Sequence, residues 1–162
     1  MIRPVTALDA EAINSIYNHY IAHSIATFEE ELMSVGDMQQ RINKTCEDGY
    51  PWLVAESDNG EILGYAYGTQ WKERFSYRFV AEVTVYLAPG GEGKGVGSAL
   101  YAELFPILKE RGFHSLIAVV SLPNDGSAAL HEKFGMSKVG HYKEVGFKFN
   151  QWIDVGYWQL ML

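Results

Sequence analysis

The chain has 162 residues, 48% apolar and 14% aromatic, which supplies a packed core and argues against disorder. Its formal charge of −7 opposes non-specific binding to nucleic acid or to an acidic membrane surface, so any anionic ligand needs local donors. The lone Cys46 excludes an intramolecular disulfide, and no apolar run approaches the ~20 residues of a membrane span, so a cytoplasmic protein is expected.

In chain order, "IRPVT" predicts a short edge strand over residues 2–6, because Pro4 removes a ladder donor. Asp9 is placed to cap a helix reaching about Ser24, with Ala12, Ile13, Ile16, Tyr17, Tyr20 and Ile21 at helical spacing. "ATFEEEL" reads as a short extended piece, and "SVGDMQQRINKTCEDG" as a second helix stopped by Gly49. "PWLVAES" and "EILGYAYGTQW" predict strands joined through "DNG". "KERFSYR" is a polar and aromatic loop, and "FVAEVTVYL" a further strand. Five glycines then fall between Pro89 and Gly97, opening a helix at about Val96. That helix should end at Gly112, with Pro106 expected to kink or shorten it. "SLIAVV" predicts a buried strand, "NDGSAALHEKF" a helix capped by Asn124 or Asp125, and the remaining segment two strands around a loop. The order β-α-α-β-β-β-α-β-α-β-β suggests an α/β fold with a mixed sheet and helices on both faces. No linker or internal repeat is visible, so residues 1–162 are expected to form one domain.

The glycine turn fails both common nucleotide motifs. A Walker A loop ending at Gly93-Lys94 would need glycine at Ala88 and Ser or Thr at Gly95; a Rossmann fingerprint from Gly93 would need glycine at Ser98. Two readings remain. The turn is either a flexible surface connection or an anion site, in which unpaired amides and the positive end of the helix dipole meet a diphosphate, with Lys94 adding a cation. In the preceding strand, Glu82 alternates with Thr84 and Tyr86 on one face, opposite Ala81, Val83 and Val85. A carboxylate there either faces water, sits in an ion pair, or accepts a proton from a substrate. His19 and His23 have the helical spacing of a metal pair but no acidic or cysteine partner, so no metal is expected.

"EGKGVGSAL" resembles the [RQ]-x-x-G-x-[GA] acetyl-CoA loop of the GNAT acetyltransferases. "YNHYIAHSIATFEEE", "AEVTVYLAP", "SAALHEKFGM" and "VGFKFNQWIDVGYWQLML" resemble the subgroup containing phosphinothricin and methionine sulfoximine N-acetyltransferases, so the likeness covers nearly the whole chain. It implies a mostly antiparallel sheet with a splayed central strand pair. It also implies acetyl-CoA as co-substrate, bound by Val85, Tyr86 and Leu87 at the strand end, by Gly93, Lys94, Gly95, Val96, Gly97 and Ser98 in the turn, and by Asn124. Glu82 falls at the subgroup's acidic base, and His131 at the position assisting thiolate departure, with Tyr142 or another tyrosine as an alternative donor. The implied acceptor contacts are Lys72, Glu73 and Arg74 together with Glu82, Val83 and Thr84, with Phe28 and Glu29 near the pocket wall. One departure stands out: Glu92 occupies the position of the usual Arg or Gln, which implies weaker coenzyme affinity.

The resemblance implies acetyl transfer to the amino group of a small amino acid or analogue by direct attack in a ternary complex, and a homodimer. The competing functions are acetylation of a protein N-terminus or lysine, and non-catalytic sensing of an acyl-CoA. Nucleic-acid, membrane and cysteine-intermediate chemistry are not expected.

Overall fold

Apolar alternation in the strands and apolar faces on the helices sort the side chains into two cores, one on each side of a single sheet. The computed structural model describes residues 1–162. In chain order its elements are β1 (Ile2–Pro4), α1 (Ala10–His23), α2 (Val35–Glu47), β2 (Trp52–Glu56), β3 (Ile62–Gln70), β4 (Val80–Leu87), α3 (Val96–Glu110), β5 (Ser115–Leu122), α4 (Asp125–Lys133), β6 (Ser137–Lys148) and β7 (Gln151–Met161). The seven strands lie in the order β1-β2-β3-β4-β5-β7-β6. Every pairing is antiparallel except β4–β5.

Period-two alternation divides β2 between the cores. Leu53 and Ala55 join Ala66, Ala81, Val83 and the α3 side chains, whereas Trp52 and Val54 join Tyr65 and the apolar faces of α1 and α2. Glu82, Thr84 and Tyr86 therefore lie on the α1 side of β4, opposite the buried Ala81 and Val83.

The parallel pairing of β4 with β5 registers only Val80–Ser115, Ala81–Leu116 and Glu82–Ile117. Both strands continue, β4 to Leu87 along β3 and β5 to Leu122 along β7. The sheet thus opens along its middle just past Glu82, as the expected splay requires.

Two local expectations are corrected. Asp9 does not cap α1 with its side chain. It accepts from Arg3 Nη1 and Nη2, both at 2.8 Å, and from the Thr6 backbone N–H at 2.7 Å, which ties β1 to the start of the helix. Pro106 does not shorten α3, which runs on to Glu110. Leu100, Leu104 and Leu108 are completely buried on its inner face, and this burial outweighs the ~3 kcal/mol that an interior proline costs. The "ATFEEEL" segment, expected as a short extended piece, joins no strand ladder. The loop expected between the last two strands is a two-residue turn, Phe149–Asn150, with both residues in the left-handed region.

Arg3 and Thr6 hold the Asp9 carboxyl below the usual carboxylate range. Its stabilising effect is therefore present above the unfolded-state pKa and lost as pH falls through the lowered folded-state value. Asp9→Asn is expected to reduce stability by about 1–3 kcal/mol in urea unfolding at neutral pH, with the difference from wild type shrinking below about pH 4.

Candidate functional site

Where β4 and β5 part, the structure holds two cavities that meet. The larger, ≈ 690 Å³, is bounded by the end of β4, the glycine turn, the start of α3, and α4. The smaller, ≈ 410 Å³, lies on the α1 side and contains Glu82. Ala26, Thr84, Tyr86, Val119 and Ser121 line both, so the cavities adjoin at the opening in the sheet.

At the outer end of the larger cavity, the turn is built for a helix start without a side-chain cap. Gly95 is the N-cap of α3, with φ +81°, and offers no side-chain cap to the amides of the first turn. A left-handed φ favours glycine there, and the bare N-terminus leaves the first amides of Val96, Gly97 and Ser98 without intrahelical acceptors. Gly93, Gly95, Val96, Gly97 and Ser98 all line the cavity, as do Val85, Tyr86 and Leu87 of β4. Lys94 is exposed and is not among the lining residues. Lys133 of α4 does line the cavity, with Nζ donating to Ser98 Oγ at 2.9 Å, and places a cation beside the helix start. Glu92 also lines the mouth. Burial, and secondarily the Glu92 charge, raise the pKa of the Tyr20 phenol, which donates to the Leu87 carbonyl at 2.7 Å.

α4 supplies the facing wall. Its cap is Asn124, not Asp125: Asn124 Oδ1 accepts from the Ser127 N–H at 3.1 Å. His131 lines the cavity from the next turn but is 97% buried. Its Nδ1 lies 2.5 Å from the Ser127 carbonyl, which only a protonated nitrogen can satisfy, so Nε2 accepts from the Tyr101 hydroxyl at 2.9 Å. Burial lowers the His131 pKa, opposed by the Ser127 bond, and keeps the ring neutral. Neither ring nitrogen directs a free proton into the cavity in this arrangement.

The smaller cavity gathers groups from across the fold: Glu82 and Thr84 from β4, Tyr67 from β3, Tyr157 from β7, Val145 from β6, and Phe28 from the α1–α2 loop. Burial raises the Glu82 pKa, and Lys72 partly opposes the shift. A carboxylate whose proton affinity is raised toward neutrality is a better base. Of the expected acceptor residues, Glu82 and Thr84 line this cavity, whereas Val83 faces the core and touches only the larger one. Lys72, Glu73 and Arg74 line neither; they sit on an exposed loop, with Lys72 near enough to act on Glu82 through its charge. Glu29 is absent from the lining because it pairs with Arg41 at 2.7 Å and accepts from Tyr17.

Sequence reasoning missed Tyr101, Val119, Ser121 and Lys133 in the larger cavity, and Tyr67, Val145 and Tyr157 in the smaller. Tyr20 was visible only as part of a helical apolar stripe. Tyr142 is exposed and lines neither cavity. His19 and His23 are exposed on the outer face of α1 with ring centroids 5.1 Å apart, and no three His, Cys, Asp or Glu side chains cluster as metal ligands. No helix is long and apolar enough to cross a membrane.

An anion-accepting helix start at one end, a passage through the sheet, and a poised carboxylate at the other suit transfer between a phosphate-bearing donor and a cationic acceptor. Comparison with known proteins gives this geometry a context. The acetyltransferase (GNAT) domain model matches residues 2–156. The chain is 40% identical to a phosphinothricin N-acetyltransferase of Streptomyces viridochromogenes over 98% of its length and 85% of that protein's. It is 32% identical to an L-methionine sulfoximine/L-methionine sulfone acetyltransferase of Salmonella typhimurium, covering 99% of this chain and 94% of that one. Among solved structures, a phosphinothricin acetyltransferase of Sinorhizobium meliloti in complex with acetyl-CoA superposes with a TM-score of 0.97 at 36% identity, over 100% of this chain and 88% of that one. A ribosomal-protein-alanine N-acetyltransferase of Brucella melitensis gives the same TM-score of 0.97 at 35% identity, over 100% and 99% of the two chains.

The raised proton affinity of Glu82 is directly measurable. A carboxyl-carbon NMR titration should show one glutamate, absent from Glu82→Gln, that titrates above the ordinary value near ~4.3. Titration at or below that value would contradict the desolvated environment.

Proposed function

Because the chain belongs to the GNAT acetyltransferase family and is an acetyl-CoA-dependent N-acetyltransferase, we propose that it acetylates the amino group of a small amino acid or analogue, of the phosphinothricin or methionine sulfoximine/sulfone kind. The observation that carries this reading is the meeting of the two cavities at the splay, with Glu82 on the smaller side only. Acetyl-CoA occupies the larger cavity, its diphosphate on the amides of the glycine turn and its thioester near the shared residues Thr84, Val119 and Ser121. The acceptor occupies the smaller cavity, its ammonium beside Glu82. Lys72 and Arg74, on the exposed loop, meet the acceptor carboxylate as it enters.

Glu82 takes a proton from the ammonium, directly or through water. The freed lone pair attacks the thioester carbon in a ternary complex, and backbone N–H groups at the β4 end stabilise the oxyanion. Collapse breaks the carbon–sulfur bond, leaving the acetylated amine and a thiolate. The attacking nitrogen loses its second proton in this step. His131 passes that proton to the sulfur, its Nε2 exchanging the Tyr101 bond for the proton. Glu82 returns its own proton to water.

A second reading has a specific observation behind it, the close structural likeness to a protein named for alanine acetylation of a ribosomal protein. The two separate in one assay: thiol release from acetyl-CoA with phosphinothricin, methionine sulfoximine, methionine sulfone, the common amino acids, and peptides with free N-termini. Turnover of small amino acids, reduced by about 10²–10⁴ in Glu82→Gln, supports the proposal. Turnover of peptides alone supports the second reading, and coenzyme binding without turnover of any amine supports a sensor.

We also place the protein in the cytoplasm as a homodimer. Support for the dimer comes from the unpaired outer edge of β6 and from Phe147, Phe149 and Trp152, which are 52%, 48% and 65% exposed around the final hairpin. Sedimentation should give twice the 18.2 kDa chain mass; a monomeric mass rejects the dimer.

A further inference from the structure

Lys148, at the end of β6, is 2% exposed, and its ammonium is not paired with a carboxylate. It donates to two backbone carbonyls of the α1–α2 loop, Ser24 O and Thr27 O, each at 2.8 Å. Burying an ammonium with no ion-pair partner is costly, and the Glu30 and Glu29 charges only partly oppose the burial that lowers its proton affinity; a methionine would fill similar volume without that cost. What the ammonium achieves is attachment: it joins segments more than a hundred residues apart in sequence.

The other holds on this loop are unevenly spread. The Ser24 N–H is fixed by the last turn of α1, through Tyr20 O at 3.0 Å, and the Ala26 carbonyl accepts from Tyr86 at 3.2 Å. The Thr27 carbonyl is held by Lys148. Phe28 follows directly, and its ring lies against Gly146 of β6, where a Cβ would fall 2.3 Å from Phe28 Cζ. Between Tyr142 and Gly146 the β6–β7 register shifts; Glu144 takes φ +52° and donates its N–H to Asp154 Oδ1 at 2.8 Å. Such a bulge re-aims neighbouring side chains, and Val145 beside it lines the smaller cavity together with Phe28.

We propose that Lys148 is a positioning residue for the acceptor: it latches the Ser24–Phe28 loop to β6 and thereby fixes Phe28 against Gly146, opposite Val145, as the wall that sets acceptor fit. The proposal rests on the reading of the smaller cavity as the acceptor site. Loss of the latch removes the tie on the Thr27 carbonyl, leaving Thr27 held by the Tyr17 bond to its hydroxyl at 2.9 Å, and loosens Phe28, while Ser24 and Ala26, which line the larger cavity, stay anchored by α1 and Tyr86, so the acceptor side suffers more than the coenzyme side.

The test pairs kinetics with hydrogen exchange on the full-length protein. Lys148→Met should raise the acceptor KM about tenfold, with the acetyl-CoA KM within about twofold of wild type, and should speed amide exchange over residues 26–30. Gly146→Ala, which leaves Lys148 in place and displaces the Phe28 ring, should likewise change the acceptor KM and spare that of acetyl-CoA. A fall in kcat with both KM values unchanged in Lys148→Met would overturn the proposal in favour of simple core filling, as would an equal rise in both. If Lys148→Met does not fold, Gly146→Ala decides, and an unchanged acceptor KM overturns it. A wild type that acetylates no amine sinks the acceptor reading instead; loop exchange then judges the latch alone, and unchanged protection at residues 26–30 rejects it.

Discussion

The site depends on the short parallel contact between β4 and β5. Three residue pairs hold the strands together, ending at Glu82 and Ile117, and then each strand follows its antiparallel neighbour away from the other. Strand twist accumulates across a sheet, and the antiparallel partners β3 and β7 hold the two halves firmly, so the weakly registered middle is where the sheet can open. The opening joins the two faces, places the last paired residue of β4 at its edge, and leaves the strand end beyond it facing a cavity. Glu82 belongs to the last pair before the sheet opens, so its carboxylate sits at the edge of the gap.

Around that gap the two faces have different chemistry. On the α3–α4 side, an uncapped helix start and Lys133 offer donors to an anion, although the chain as a whole carries a formal charge of −7. Amides are short-ranged and fixed in direction, so they work against an unfavourable global field. On the α1 side, aromatic, aliphatic and hydroxyl side chains surround one carboxylate, and its burial raises its proton affinity. The division matches a donor that brings phosphates and an acceptor that brings a proton.

The parts of this arrangement that were legible in the sequence have local causes. Alternation put Glu82 on the face opposite Ala81 and Val83, and a run of glycines before an apolar helix marked a turn with left-handed backbone at Gly90, Gly93 and Gly95. Capping chemistry narrowed the start of α4 to Asn124 or Asp125, and Asn124 fills the cap. Local cues failed where two partners compete for one group. Asp9 looks like a cap until Arg3 arrives from β1, and Pro106 looks like a helix breaker until three leucines bury the same helix. They also could not reveal contacts closed over long sequence separations. Val145, Tyr157 and the Ser24–Phe28 loop converge only after β6 and β7 have added to the sheet. The charged loop at Lys72–Arg74 was reached by resemblance, and its exposure leaves it acting on the cavity from outside.

The most direct test of the central claim, that the opening in the sheet holds donor and acceptor on opposite sides, is a crystal structure with coenzyme A and a turned-over amine both bound. The account predicts the sulfur at the shared Thr84–Val119 lining and the amine nitrogen within hydrogen-bonding reach of Glu82, directly or through one water. An amine bound away from Glu82, or coenzyme outside the glycine turn, would contradict it.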